Sequence, residues 1–364
     1  MKDYDVVVIG GGVAGLSVAY FLSERCEVLV LEREDQLAYH SSGRSAAMYI
    51  EGYENEVVQE LTLAGREFFF HTPEGFSEHP LLSPCGGLTI AAKDELKKLG
   101  TYFEFWSAKC SELSQVSIDE AIELVPILNN QWLGGAVYDP SSKRIDVHAL
   151  LMGFERGIHA NGGLIRKSSE VISLDEHPGG WRIQLAEEAL TANIVVNAAG
   201  AWANSIAALA SLGRKPLTPL RRTVAIIPAP DDTAQWPMVH KVAGNLYFRP
   251  ENPGILVCPQ DETPADAMDA FALELDVARA IEEYHRVNEH SVERVIRTWA
   301  GLRTFAQDRK PLIGYEKKSP NFFWLAGQGG FGVQTAPGLA RLASDLIIDR
   351  EIVPSNIDVN RYSN

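Results

Sequence analysis

The stretch from Asp5 to Glu32, DVVVIGGGVAGLSVAYFLSERCEVLVLE, constrains the fold of this chain more than any other. Its apolar run from Val6 to Leu22 is 17 residues long, at the short limit for crossing a bilayer. The run also holds Gly10, Gly11, Gly12 and Gly15, a costly choice for an unsupported helix. Read as strand, turn and helix, the same letters are mutually consistent. Asp5–Ile9 is a β-branched run suited to a strand buried on both faces of a parallel sheet. The pattern G-x-G-x-x-G follows. Gly10 permits the tight turn, Gly12 leaves space for phosphate against the backbone, and Gly15 lets the helix close on the sheet, with Val13 and Ala14 at the helix start. Ala14 to Glu24 has a helical period that puts Ala14, Val18, Phe21 and Leu22 on one side. Glu27–Leu31 is a second strand, ending at Glu32 and Arg33. Glu32 comes twenty residues after Gly12, where a carboxylate can accept hydrogen bonds from a ribose. The reading is a dinucleotide cradle, not a membrane anchor.

The chain has 364 residues, enough for two domains. A net charge of −15 argues against nucleic acid and anionic membrane surfaces as partners, though a few arginines can still hold an anionic ligand. Cys26, Cys85, Cys110 and Cys258 have no metal-type or disulfide-type spacing. No metal is therefore expected, and a reducing, cytoplasmic setting is. Two acids just ahead of the apolar run, with no small-residue cleavage site after it, argue against a secretory signal.

The cradle alone serves NAD and FAD equally. Several further segments decide between them: HSSGRSAA (His40–Ala47), VVNAAGAW (Val195–Trp202), TWAGLRTF (Thr298–Phe305) and GQGGFGVQTAP (Gly327–Pro337). With EHPLLSP (Glu78–Pro84), and YDP followed by ID between Tyr138 and Asp146, they occur in the order found in the D-amino-acid oxidase/glycine oxidase superfamily. The chain resembles that superfamily over nearly its whole length, and within it the D-arginine dehydrogenase-type amine dehydrogenases. The resemblance implies an α/β fold: a Rossmann-like FAD-binding domain, and a smaller substrate domain on a mixed or antiparallel sheet. The expected boundaries are 1–80, 144–212 and 306–364 for the FAD domain, and 81–143 and 213–305 for the other. It also implies non-covalent FAD, since the C-terminal third has no cysteine for a thioether link.

The cofactor-binding residues expected are Gly10, Gly12, Val13, Ala14, Gly15, Glu32 and Arg33 in the cradle. Ser41, Ser42, Gly43, Arg44, Ser45, Ala46 and Ala47 follow in the small, polar second segment. Val171, Ala199, Gly200, Trp202, Gly301 and Arg303 come next, and then Gly329, Gly330, Phe331, Gly332, Val333, Gln334 and Thr335. The last group leads into a helix from Val333 to Ile348, whose N-terminal N–H groups and dipole favour negative charge.

A flavin amine oxidation needs its substrate positioned more than it needs a catalytic triad. Carboxylate clamps are therefore the residues to seek. Arg303 is the first choice, because a guanidinium fork matches a carboxylate and keeps its charge. Arg222, at the start of a strand, is the second, with Arg221 facing the other way. Tyr247 adds a hydroxyl. By resemblance, Tyr53 covers the pocket and the carbonyl of Gly332 or a neighbour accepts from the amine.

Two departures from the D-arginine dehydrogenase pattern bear on the substrate. Met48 replaces a histidine, and Cys85-Gly86-Gly87 lacks the acid that would pair a guanidinium. A cationic side chain without a partner charge is costly to bury, which favours neutral or apolar side chains, with Glu51 and Glu54 the nearest substitute acids. The leading expectation is hydride transfer from the Cα of a D-amino acid or related amine to flavin N5. The imino acid so formed hydrolyses to a 2-oxo acid and ammonia. A 2-hydroxy-acid dehydrogenase on the same fold, and a flavin-binding or redox-sensing protein without turnover, are the alternatives. The electron acceptor, whether quinone, carrier protein or oxygen, leaves no motif.

Overall fold

The computed structural model describes residues 3–362. Strand β1 (Asp3–Ile9) runs into helix α1 (Val13–Ser23) and back into strand β2 (Val28–Leu31), as the glycine pattern predicts. β1 pairs in parallel with β2 on one side and with the strand Ala189–Asn197 on the other. The sheet order is Ser173–His177, Gly180–Gln184, Ala189–Asn197, β1, β2, Leu164–Arg166. Ser319–Ala326 also pairs in parallel with Ala189–Asn197, and Leu312–Glu316 pairs antiparallel with Ser319–Ala326. The parallel strands are buried on both faces, which explains their unbroken apolar runs.

Helix α1 departs from the one-sided pattern read in the sequence. Only Ala14 and Tyr20 among its residues are half-exposed, and all others are buried. Its apolar residues share a core with those of the helix Val147–Ala160 and the C-terminal helix, so no face is left to solvent. Asp146 caps the helix Val147–Ala160, its carboxylate accepting from Ala149 N at 2.8 Å. Ser117 and Glu120 form a capping box on Ile118–Leu124.

The second sheet is mixed. It contains β3 (Leu217–Ile227), β4 (Tyr247–Glu251) and β5 (Arg297–Ala306). The order is Thr263–Pro264, β3, Gly254–Cys258, β4, Met238–Lys241, Gly87–Ala92, Leu133–Asp139, Ser114–Val116, with β5 pairing along β3. Among the described residues its one parallel pair joins Met238–Lys241 to Gly87–Ala92. β3 begins at Leu217, so Arg222 lies mid-strand and not at the strand start expected; the earlier residues Leu217 to Arg221 are drawn in by pairing with β5.

Helix α2 (Gly332–Asp349) follows the glycine-rich turn and returns across the first sheet. Gly338 lets it press on the helix Glu56–Ala64, where a Cβ would lie 2.3 Å from the Leu61 carbonyl oxygen. No helix of the described residues is long and apolar enough to cross a membrane, and the four cysteines are free.

Candidate active site

The carboxyl ends of the parallel strands open into a cavity of about 600 Å³, where ligands collect in open α/β sheets. One end is made of backbone. Gly10 has φ +114°, and a Cβ there would sit 2.6 Å from the Ala198 carbonyl oxygen. A Cβ on Gly15 would sit 1.9 Å from the Gly10 oxygen, so α1 could not close on β1 with any larger residue. Gly12 caps α1 without a side-chain bond, and Val13 N donates to Ser42 Oγ at 2.9 Å. Glu32 lines the cavity while accepting from Gly11 N at 2.6 Å and Glu34 N at 2.9 Å, which fixes the carboxylate. Arg33 stacks over Trp202 at 4.2 Å, forming one wall.

Ser41, Ser42, Arg44, Ser45 and Ala46 line the middle. Ser41 Oγ donates to the Leu302 carbonyl. Arg44 ties this loop to the far strands through the carbonyls of Ala270 at 2.8 Å and Ala300 at 3.0 Å. Val171, Ala199, Gly200 and Gly301 lie on the same surface.

The other end is made of side chains. In the β3–β5 register Arg222 faces Gly301 and Leu220 faces Arg303, which puts both arginines on one face as diagonal neighbours. Arg221 turns the other way, to Asp276 at 3.0 Å. Arg222 is already engaged, with the Asp261 carbonyl at 2.9 Å and Glu262 at 3.1 Å. Glu262 is held in turn by Arg309 at 3.0 Å. Burial opposes the Glu262 charge, but Arg309 and Arg222 outweigh it and hold this carboxyl below its usual range.

Arg303 differs from its neighbours. Among the described residues it makes no ion pair and no side-chain hydrogen bond, although Gly330 lies so close that a Cβ there would be 2.6 Å from its Nη1. Enclosure works against its charge, but Tyr53, Tyr247, Cys258 and Glu262 around it raise its pKa above the ordinary arginine value. Tyr247 also lines the cavity, its hydroxyl bonded to Cys258; burial pushes that hydroxyl's pKa well up, so it remains a donor. The site thus offers one enclosed, unpaired, planar cation beside a neutral O–H.

Gly329, Gly330, Gly332 and Val333 line the cavity, and α2 starts there with no side-chain cap. Several expected residues do not. Phe331 turns into a cluster with Val58 and Phe305. Gln334 donates to Thr62 Oγ1 at 3.1 Å, and Thr335 to the Phe331 carbonyl at 3.0 Å, because the helix turns these positions inward. Gly15, Gly43 and Ala47 support the walls without facing the space: a Cβ on Gly43 would lie 2.5 Å from the Ala38 oxygen. Tyr53 packs beside Phe331 and Leu220, outside the lining but near Arg303.

Met48 and Gly87, the departures read as pocket residues, are not in the lining either. Met48 is a buried strand residue opposite Arg144. Glu51 and Glu54 are spent on Arg66 and Arg309. The sequence reading missed Ser169, Glu170 and Ile172, which flank Val171, and also Ser205, Gln328 and the Glu262 brace. Only the neighbourhood of Val171 was a signal for the first three; Glu262 sits on a connection with no periodic pattern.

The chain matches the family model described as FAD dependent oxidoreductase (DAO) over residues 5–346. The chain belongs to that family. Mouse mitochondrial dimethylglycine dehydrogenase is 25% identical across 98% of this chain, but the match covers 44% of that protein. The chain therefore spans less than half the length of that relative. Glycine oxidase from Geobacillus kaustophilus (strain HTA426) is 22% identical over 96% of this chain and 94% of the relative. A glycine oxidase structure from Geobacillus kaustophilus superposes with a TM-score of 0.88 at 21% identity, covering 100% of both chains. An L-proline dehydrogenase structure from P.horikoshii gives 0.84 at 22% identity, covering 99% of this chain and 96% of that one. These likenesses establish the fold. The narrower likeness to D-arginine dehydrogenases rests on the motifs quoted above.

The cofactor of the family is FAD, and the residues present fit it. The cavity is of dinucleotide scale, Gly12, Gly200 and Gly301 line it without a side chain, and the starts of α1 and α2, neither with a side-chain cap from its own N-cap residue, border it side by side at Val13 and Gly332. The first suits a pyrophosphate and the second an electron-rich ring edge.

Proposed function

We propose that this chain oxidises the C–N bond of an amine that carries a carboxylate on the adjacent carbon. Candidate substrates are a D-amino acid or an N-substituted relative, with no positive charge on the side chain. The observation that carries this reading is Arg303, enclosed, charged and without a partner at the cavity wall. A carboxylate would take two parallel N–H bonds from its fork, and Tyr247 would add a third. Such clamping fixes the Cα–H direction, and positioning of this kind accounts for much of the acceleration in reactions where a cofactor does the chemistry.

FAD, when bound non-covalently in the cavity, supplies the two-electron acceptor. The amine loses two electrons and two protons in becoming an imine, which water then hydrolyses to a 2-oxo acid and an amine or ammonia. By the family resemblance, the carbonyl of Gly332 or a neighbour would accept from the neutral amine. Among the described residues no unpaired acid faces the Arg303 end, where Glu262 is held between Arg222 and Arg309. A lysine- or arginine-like substrate would therefore bury its charge unmatched, at a cost of several kcal/mol. The test is anaerobic reduction of the yellow protein by a panel of D- and L-amino acids, N-methyl amino acids and 2-hydroxy acids. Bleaching by amino acids and not by hydroxy acids supports the reading; bleaching by D-arginine above all others overturns its charge preference.

A further inference from the structure

Beyond the clamp, the same strand carries a second buried guanidinium whose bonding is incomplete. Alternation along β4 puts Tyr247, Arg249 and Glu251 on one face, and Tyr247 already lines the cavity. Arg249 is the next residue on that face, about 7 Å further along the strand, and stands just beyond the residues that line the cavity. It is 5% exposed. One Nη lies 2.7 Å from Glu251 Oε2, without the alignment of a hydrogen bond, while its Nε and Nη1 have no partner. Arg144, half-buried beside it, donates one Nη2 to the Pro250 carbonyl at 3.3 Å and leaves its own Nε unpartnered. Desolvation depresses the Arg249 pKa, and the like charge of Arg144 adds to it, with Glu251, Cys85 and Tyr247 the opposing neighbours.

Glu251 pairs with Arg249 alone, and three buried N–H-bearing nitrogens of the two guanidiniums are left unpaired. Each unpaired buried donor carries the full cost of its desolvation, and a buried cation in excess costs more. No acid stands at Cys85 or on the neighbouring β-strand residues to complete the set. A carboxylate arriving from the cavity would supply both the missing charge and the acceptor oxygens.

We propose that Arg249, backed by Arg144, is a second anion-binding position of the substrate cavity, and that the preferred substrate is an amine bearing two carboxylates. This rests on the amine-oxidation reading and narrows it. Arg303 holds the carboxylate next to the reacting carbon, and Arg249 holds the one at the far end of a short chain. Tyr247, between them on the strand face, spaces the two.

The experiment uses the holoprotein and compares anaerobic flavin reduction by aspartate and N-methylaspartate with that by alanine and N-methylalanine, each as both enantiomers. The expected result is a kcat/KM at least about tenfold higher for the dicarboxylates. Arg249→Met should remove that advantage through KM and leave the monocarboxylates within about twofold, and Arg249→Lys should restore part of it. Equal rates for both classes in the wild type, or an equal loss for both in Arg249→Met, would overturn the site. Reduction by the monocarboxylates alone would sink the second position while amine oxidation stands. Should no amine reduce the flavin, the amine reading fails by itself. The binding site is then decided by titration with succinate, read from the flavin absorbance: binding lost in Arg249→Met supports it, and unchanged binding overturns it.

Discussion

The two ends of the cavity are built from different materials. At the β1–α1 end the ligand surface is backbone, shaped by glycines and by the free N–H groups of a helix start. At the Arg303 end it is side chain, with Arg222, Tyr247, Glu262, Arg303 and Arg309 brought together from β3, β4, β5 and their connections. A backbone site tolerates almost no change at its few fixed positions. A side-chain site can be altered one charge at a time with the fold intact. The first end suits a cofactor that never varies, and the second a substrate that does.

Gly15→Ala should break the backbone end outright. The new methyl would lie 1.9 Å from the Gly10 oxygen, so α1 cannot close on β1, at a cost of about 3 kcal/mol or more. The expected outcome is protein without yellow colour and with a clearly lowered Tm, read by absorbance and circular dichroism. Arg303→Met should act in the opposite manner. The protein stays yellow and folded, while kcat/KM for a carboxylate-bearing amine falls about 10³-fold, the loss of a bidentate charged contact. Stopped-flow reduction measures it, and partial recovery in Arg303→Lys would show that charge matters beyond shape.

The sheet beneath the substrate end also carries a titration. His240, enclosed near Tyr102 and within 3.5 Å of Thr89 Oγ1, has its pKa lowered by burial to about 4. A folded pKa below the unfolded value of about 6.5 means that the native state binds the proton less readily. Stability is then fully present above pH 6.5 and declines as pH falls toward 4, by about 3 kcal/mol. Denaturant midpoints across that window should fall in the wild type and flatten in His240→Asn. The smallest effect belongs to Thr335→Val. Thr335 is fully buried and bonded to the Phe331 carbonyl, so the variant should lose about 1 kcal/mol of stability. Its FAD affinity, measured by fluorescence titration, should not change; a large loss would return Thr335 to the cofactor surface.

The same contrast explains what the sequence disclosed. The cradle is local: Gly10, Gly12, Gly15 and Glu32 fall within one β-α-β unit, where spacing alone dictates geometry. Arg221 and Arg222 could be assigned to opposite faces because a strand alternates, and the structure separates them to Asp276 and Glu262. Gln334 and Thr335 lie off the cavity lining because a helix start shows only its first residues there, and the side chains of the next turn face the core. Met48, next to the HSSGRSAA segment in sequence, is a buried strand residue paired with Arg144 and is not among the lining residues. Glu262, Arg309 and Arg249 were missed because their roles depend on partners tens of residues away, which no local pattern encodes.

The account turns on Arg303 gripping a carboxylate, and one comparison tests this most directly: anaerobic reduction of the yellow protein by an amino acid and by the amine left when its carboxylate is removed. Rapid bleaching by D-alanine or N-methylglycine, with ethylamine or dimethylamine slower by about three orders of magnitude, is the predicted result. Equal bleaching by the amines that lack a carboxylate would contradict it.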